Sequence, residues 1–173
     1  MAQSGKKEVS LRDAAACLFD YGVDRGDLGL ILEGLPDDDT INRVAAEYEL
    51  RILRIVSVGW SISYFMAAGD SRQALAEGYW QSVAAFSGQV SEMSSTTSGT
   101  EVDYFSVIRE RADGYLSALN HYQDAGDPAI VIGPTLAKMC GDEENPYLII
   151  SAKKLFHITL SGVKNYLESI ELP

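Results

Sequence analysis

Between residues 104 and 122 the chain reads YFSVIRERADGYLSALNHY, in which Phe105, Ile108, Ala112, Tyr115, Leu119 and Tyr122 follow one another at intervals of three and four. A helix turns once every 3.6 residues, so this spacing gathers the large side chains into one stripe and leaves the charges on a wet face. The same stripe recurs on either side. Leu75, Tyr79, Val83, Phe86, Val90 and Met93 follow Asp70 and Gln73, and Leu148, Ala152, Leu155, Thr159, Val163, Tyr166 and Ile170 follow Asn145 and Pro146.

The centre of the chain is more apolar still. A helix opened by Asp39 or Thr40 and running to about residue 68 is amphipathic through Ile41, Val44, Tyr48 and Ile52 or Ile55. Through Val56, Val58, Trp60, Ile62, Tyr64, Phe65 and Met66 it is apolar nearly all round. A helix hydrophobic on every side belongs in the middle of a bundle. The alternation of Val56, Val58, Trp60, Ile62 and Tyr64 with Ser57, Gly59, Ser61 and Ser63 also fits a strand, but only residues 129–132 and 148–150 offer partners, so the helix is preferred.

Caps and breakers divide the rest. Ser10 with Asp13 resembles a capping box opening a short helix that Gly22 ends. A second short helix spans about residues 27–34, before a turn at Pro36 and Asp37–Asp39. Residues 94–99 read as a polar loop, Thr100 with Asp103 as a further capping box, and Gly126 as the end of the tyrosine-striped helix. Asp127–Pro128 and Asn145–Pro146 each set an N-cap beside a proline at the first helical position, and Gly133–Pro134 predicts a kink or broken turn. The expectation is a flexible arm over residues 1–9. A single all-α domain follows over residues 10–173, a bundle of four or five main helices with two short N-terminal ones.

With 173 residues, 46% hydrophobic and 23% charged, the chain can bury a full core as one domain. Fourteen basic residues against 25 acidic ones, net charge −11, argue against nucleic acid as a partner. The acidity concentrates between Asp13 and Glu49, where ten carboxylates face Arg25 and Arg43. The apolar run from Ile55 to Gly69 is shorter than the roughly 20 residues that span a bilayer, so no membrane is expected. The stretch Ala14–Phe19 is too short for the core of an export signal, so Cys17 and Cys140 read as free thiols in a cytoplasmic protein.

Patterns that carry chemistry are sparse. Neither His121 nor His157 follows a Glu three residues earlier, as a di-iron bundle needs, and His121 with Asp124 supplies only two ligands, so no metal is expected. Calcium-loop frames over residues 20–33 put Asp27 or Arg25 where the turn glycine must stand. The segment Gly59–Trp60–Ser61–Ile62–Ser63 lacks the second glycine of a nucleophile elbow, and Gly26, Gly29 and Gly34 make no phosphate loop. No catalytic residue and no cofactor is assigned; Glu110, Asp113 and His121 are the groups an enzyme reading would test.

Function is therefore expected by elimination. The first expectation is a non-enzymatic helical module that binds a protein partner or a second copy of itself through exposed apolar positions on the central or last helix. The alternative is a binder or sensor of a small apolar ligand, with Trp60, Tyr64, Tyr79, Tyr115 and His121 as its site, because Tyr and Trp combine large apolar bodies with a polar tip.

Overall fold

The computed structural model describes residues 5–37, 39–122 and 126–173. Seven helices appear among them: α1 (Leu11–Val23), α2 (Gly26–Glu33), α3 (Arg43–Phe65), α4 (Asp70–Ser98), α5 (Tyr104–His121), α6 (Ala129–Met139) and α7 (Pro146–Ser169). Two short strands, β1 (Lys7–Glu8) and β2 (Ile170–Glu171), complete the described elements. The chain is an all-α single domain, as the periodicity predicts. No described helix is long and apolar enough to cross a membrane.

Helix α3 is the axis of the bundle and touches α1, α2, α4, α5, α6 and α7. Its strand-like serines are accommodated within the helix, where Ser57 and Ser61 donate to the carbonyls of Leu53 and Ser57, both at 2.6 Å. Those back-bonds satisfy buried hydroxyls that a purely apolar neighbourhood would leave unpaired. The helix starts at Asn42, whose Oδ1 accepts from Ala45 N at 3.1 Å, and not at Asp39 or Thr40. This start places Ile41 just outside the first turn and Ala46 at the fourth helical position, the two positions of a hydrophobic staple, and both are buried.

Other boundaries also moved for local reasons. Residues 94–98, expected as a loop, continue α4 to a length of 29 residues, because their hydroxyls bond four residues back: Thr96 to Glu92 O at 2.9 Å and Ser98 to Ser94 O at 2.7 Å. Gly99, at φ 68°, closes the helix in the left-handed region where glycine is favoured. Asp103, not Thr100, caps α5 by accepting from Ser106 N. Helix α6 runs through Pro134, and Ile130, whose carbonyl the proline deprives of a donor, is half exposed. Helix α5 ends at His121 with Tyr122 as its C-cap, and residues 123–125 lie outside the described ones.

The cap at Ser10 and the Asn145–Pro146 start of α7 stand as read. Ser10 Oγ accepts from Asp13 N, and Asn145 Oδ1 accepts from Tyr147 N and Leu148 N. At the other end of the expected arm, Lys7 and Glu8 pair in parallel with Ile170 and Glu171, which ties the start of the described chain to the end of α7.

Candidate functional site

Two charged side chains on α3 lie in the core that the apolar pattern builds. One is Glu49, gripped by two nitrogens of a single arginine from α5: Arg111 Nε at 2.9 Å and Nη2 at 2.8 Å. The other is Arg54, 1% exposed. Its Nε donates to Tyr21 O at 2.9 Å, its Nη1 to Asp27 Oδ2 at 3.2 Å, and its guanidinium lies 4.4 Å from the centre of the Tyr21 ring. Tyr21 in turn donates from its hydroxyl to Ile158 O of α7 at 3.1 Å. The local logic is that of a helix end: the last carbonyls of α1 have no partner within the helix and carry its negative pole, so a cation beneath them is stabilised.

Arg54 is not fully used by this arrangement. Its Nη2 makes no hydrogen bond with a described residue, and the nearest carboxylate oxygen, Asp24 Oδ2, is 4.0 Å away. One turn earlier, Arg51 gives an Nη2 hydrogen to Glu47 while its buried Nε has no acceptor among the described residues. Both arginines line a cavity of about 590 Å³, and Arg25 from the α1–α2 turn is a third. In a chain with 14 basic and 25 acidic residues, such a convergence of cations is notable.

The rest of the cavity wall is mostly apolar. Leu28 and Ile55 form its inner side, and Phe86, Val90 and Met93 of α4 form the outer. Tyr48 and Tyr104 close one flank as a tilted pair with ring centres 6.0 Å apart, and Phe86 meets the Tyr104 ring edge-on at 6.4 Å. Burial pushes the Tyr104 hydroxyl up to about 12, and Tyr48 rises for the same first reason, so both are neutral phenols at physiological pH. A cavity of this size, apolar with a few convergent donors, has the form of a small-molecule site.

The residues singled out in the sequence are not gathered there. Trp60 stacks on Tyr64 at 4.5 Å and meets Phe156 at 5.7 Å, and Tyr64 is exposed. Tyr79 is wholly buried, donating to Ile55 O at 2.7 Å. Tyr115 is also buried, and with Trp60 it borders a crevice of only about 10 Å³, too small for a ligand. His121 lines an open groove of about 870 Å³ between α5 and α6, together with Glu110; its suggested companion Asp124 is outside the described residues. Among the described residues that groove shows no buried side-chain donor without a partner, its arginine, Arg111, being taken by Glu49 and Glu110. Deeper in, burial raises the Tyr115 hydroxyl well above its usual range and the Cys140 thiol to about 11, with Glu49 adding to both.

The cavity was missed because Arg51 and Arg54 read as the point where the apolar run of α3 begins. The available signal was their spacing: three residues apart on a helix that has to be buried, they either lie on one wet edge or share one internal space. Among the described residues no group of three His, Cys, Asp or Glu side chains is placed to hold a metal ion. Comparison with protein-family models, curated proteins and solved structures returns no match for this chain.

Proposed function

We propose that the protein is a small-molecule binder or sensor whose ligand occupies the cavity walled by Leu28, Ile55, Phe86, Val90 and Tyr104. The observation that carries this reading is the combination of size and lining: about 590 Å³ of space with a largely apolar wall and the side chains of Arg25, Arg51 and Arg54 at its edge. A cytoplasmic setting belongs to the same proposal and is supported by two free cysteines, one of them exposed. The test is a fluorescence titration with the neutral apolar dye N-phenyl-1-naphthylamine. Saturable binding is expected for the wild type, a loss of at least about tenfold for Val90→Trp, which fills the cavity, and no change for Ser117→Trp in the α5–α6 groove. Absence of binding to the wild type, or equal binding by Val90→Trp, overturns the reading.

A second reading, self-association, is favoured by one separate observation. Leu30 of α2 and Tyr147, Ile150 and Ile158 of α7 are exposed apolar residues around one shallow depression that also carries Asp27 and Lys154. Two copies apposed about a twofold axis would bury these apolar groups and bring each Lys154 toward the acidic residue of the other. Sedimentation equilibrium should then show a dimer that Ile150→Glu converts to a monomer; a wild-type monomer at high concentration excludes it.

A further inference from the structure

We propose that the last two turns of α4, residues 92–98, are a lid over this cavity that unwinds to admit the ligand and is wound again by its binding. The lid rests on the binder reading and adds to it the gate that controls access to the same site.

Helix α4 changes character along its length. Its first half lays Leu75, Tyr79 and Val83 into the core, and no residue of the helix after Ser87 is buried. Phe86 and Val90 still pack against the core at partial exposure, but the next apolar residue, Met93, is 70% exposed. Among the described residues the last hydrogen bond from α4 to another helix is at Ser91, whose Oγ accepts from Tyr104 N at 3.0 Å. Beyond that anchor the stripe begun by Leu75 continues through Met93 and Thr97, and these two with Ser94 wall the cavity. One helical face thus starts in packed core and ends over a space.

Most helical stability in a protein comes from packing of the apolar face, and residues 92–98 have little of it. Their composition does not make up the difference: five of the seven are Ser or Thr, which favour a helix less than Ala, Leu or Glu. The hydroxyls of Thr96, Thr97 and Ser98 bond the carbonyls of Glu92, Met93 and Ser94. Such hydroxyls bond nearby backbone in turns as well as in helices, so unwinding loses few contacts. Unwound, these turns join residues 99–103 as one strap between Ser91 and Tyr104, whose own bond stays made. Lids are drawn from the least stable segments because they have to open. A ligand filling the cavity gives Met93, Ser94 and Thr97 the packing partner that the core does not supply, so binding and winding favour each other.

The experiment is stopped-flow release of N-phenyl-1-naphthylamine from the wild type and from two double variants, Ser95→Gly with Thr96→Gly and Ser95→Ala with Thr96→Ala. Both positions are exposed and neither lines the cavity, so the substitutions act on the helix and not on the wall. Glycine disfavours the wound lid and alanine favours it, each pair by about fivefold in the population of the open form. Release should be about fivefold faster in the glycine pair and about fivefold slower in the alanine pair, while the urea midpoint moves little. In hydrogen exchange of the free protein, amides of residues 95–98 should exchange faster than those of residues 79–87 and slow by about tenfold or more with saturating dye. Release rates that stay unaltered or shift the same way in both variants overturn the lid. So does exchange at residues 95–98 that the dye leaves unchanged, or a fall in urea midpoint large enough to account for the faster release by global unfolding. In each of these cases the cavity reading stands, whereas failure of the dye to bind the wild type overturns both.

Discussion

Gly133 sits in α6 where that helix crosses α7, and replacing it with alanine should weaken the fold even though alanine is the better helix former. A Cβ built on Gly133 would lie 2.8 Å from Ile149 Cγ2, 2.9 Å from Ile149 O and 3.1 Å from Lys153 Cγ. Comfortable carbon contacts are about 3.5–4.0 Å, so the two helices would have to separate by several tenths of an ångström. The carbonyl belongs to the backbone of α7 and cannot swing aside, unlike a side-chain tip. Overpacking of this kind costs about 1–3 kcal/mol. The usual propensity gain of about 1 kcal/mol is blunted because the next residue is Pro134, whose ring disfavours a helical residue with a Cβ before it. The expected net loss is about 2 kcal/mol, seen in urea unfolding as a lower midpoint at unchanged slope, or as a melting temperature lower by about 4–8 °C. Gly88, exposed within α4 with nothing within 4 Å of its would-be Cβ, is the control, and Gly88→Ala should gain up to about 1 kcal/mol. If Gly133→Ala is as stable as the wild type, or Gly88→Ala loses as much, the close-crossing argument fails.

Three further outcomes are expected. Arg111→Met leaves the Glu49 carboxylate without its two charge-assisted bonds and should cost about 2–4 kcal/mol, below the full range for a buried pair because Arg111 is partly exposed; a loss under about 1 kcal/mol would show that Glu49 finds another partner. Asn145→Ala removes the acceptor for Tyr147 N and Leu148 N and should cost about 1–2 kcal/mol in the same assay, where no measurable change would remove the cap from the account of α7. In the native protein at pH 8, the Cys140 thiol, raised to about 11 by burial and then by Glu49, holds only about one thiolate in 10³. Ellman's reagent should therefore react rapidly with exposed Cys17 and slowly with Cys140, the slow phase quickening about tenfold per pH unit until pH approaches 11; two equal rates at pH 8 would contradict this.

What could be read along the chain depended on how far apart the interacting groups lie. The stripe of α5, the capping box at Ser10 and the Asn145–Pro146 start of α7 are made by residues within one or two turns of each other, so the pattern itself carries them. Where two caps competed within a few residues, as Thr40 against Asn42 and Thr100 against Asp103, the choice fell to whichever start left Ile41 and Tyr104 buried, which local sequence does not show. The polar residues 94–98 joined α4 because hydroxyls that favour loops also bond the carbonyls four residues back.

The candidate site lies at the far end of this scale. Arg54 meets Tyr21 across 33 positions, Tyr21 meets Ile158 across 137, and Phe86 reaches Tyr104 from the adjoining helix. Periodicity, composition and nearby caps sufficed for an acidic, all-α single domain with an apolar central helix, because those properties are sums over short-range steps. Which aromatic rings closed into core, which two arginine nitrogens remained without acceptors, and where a space of about 590 Å³ opened beside them were decided only when the helices packed, since each depends on the angle and depth at which distant segments meet.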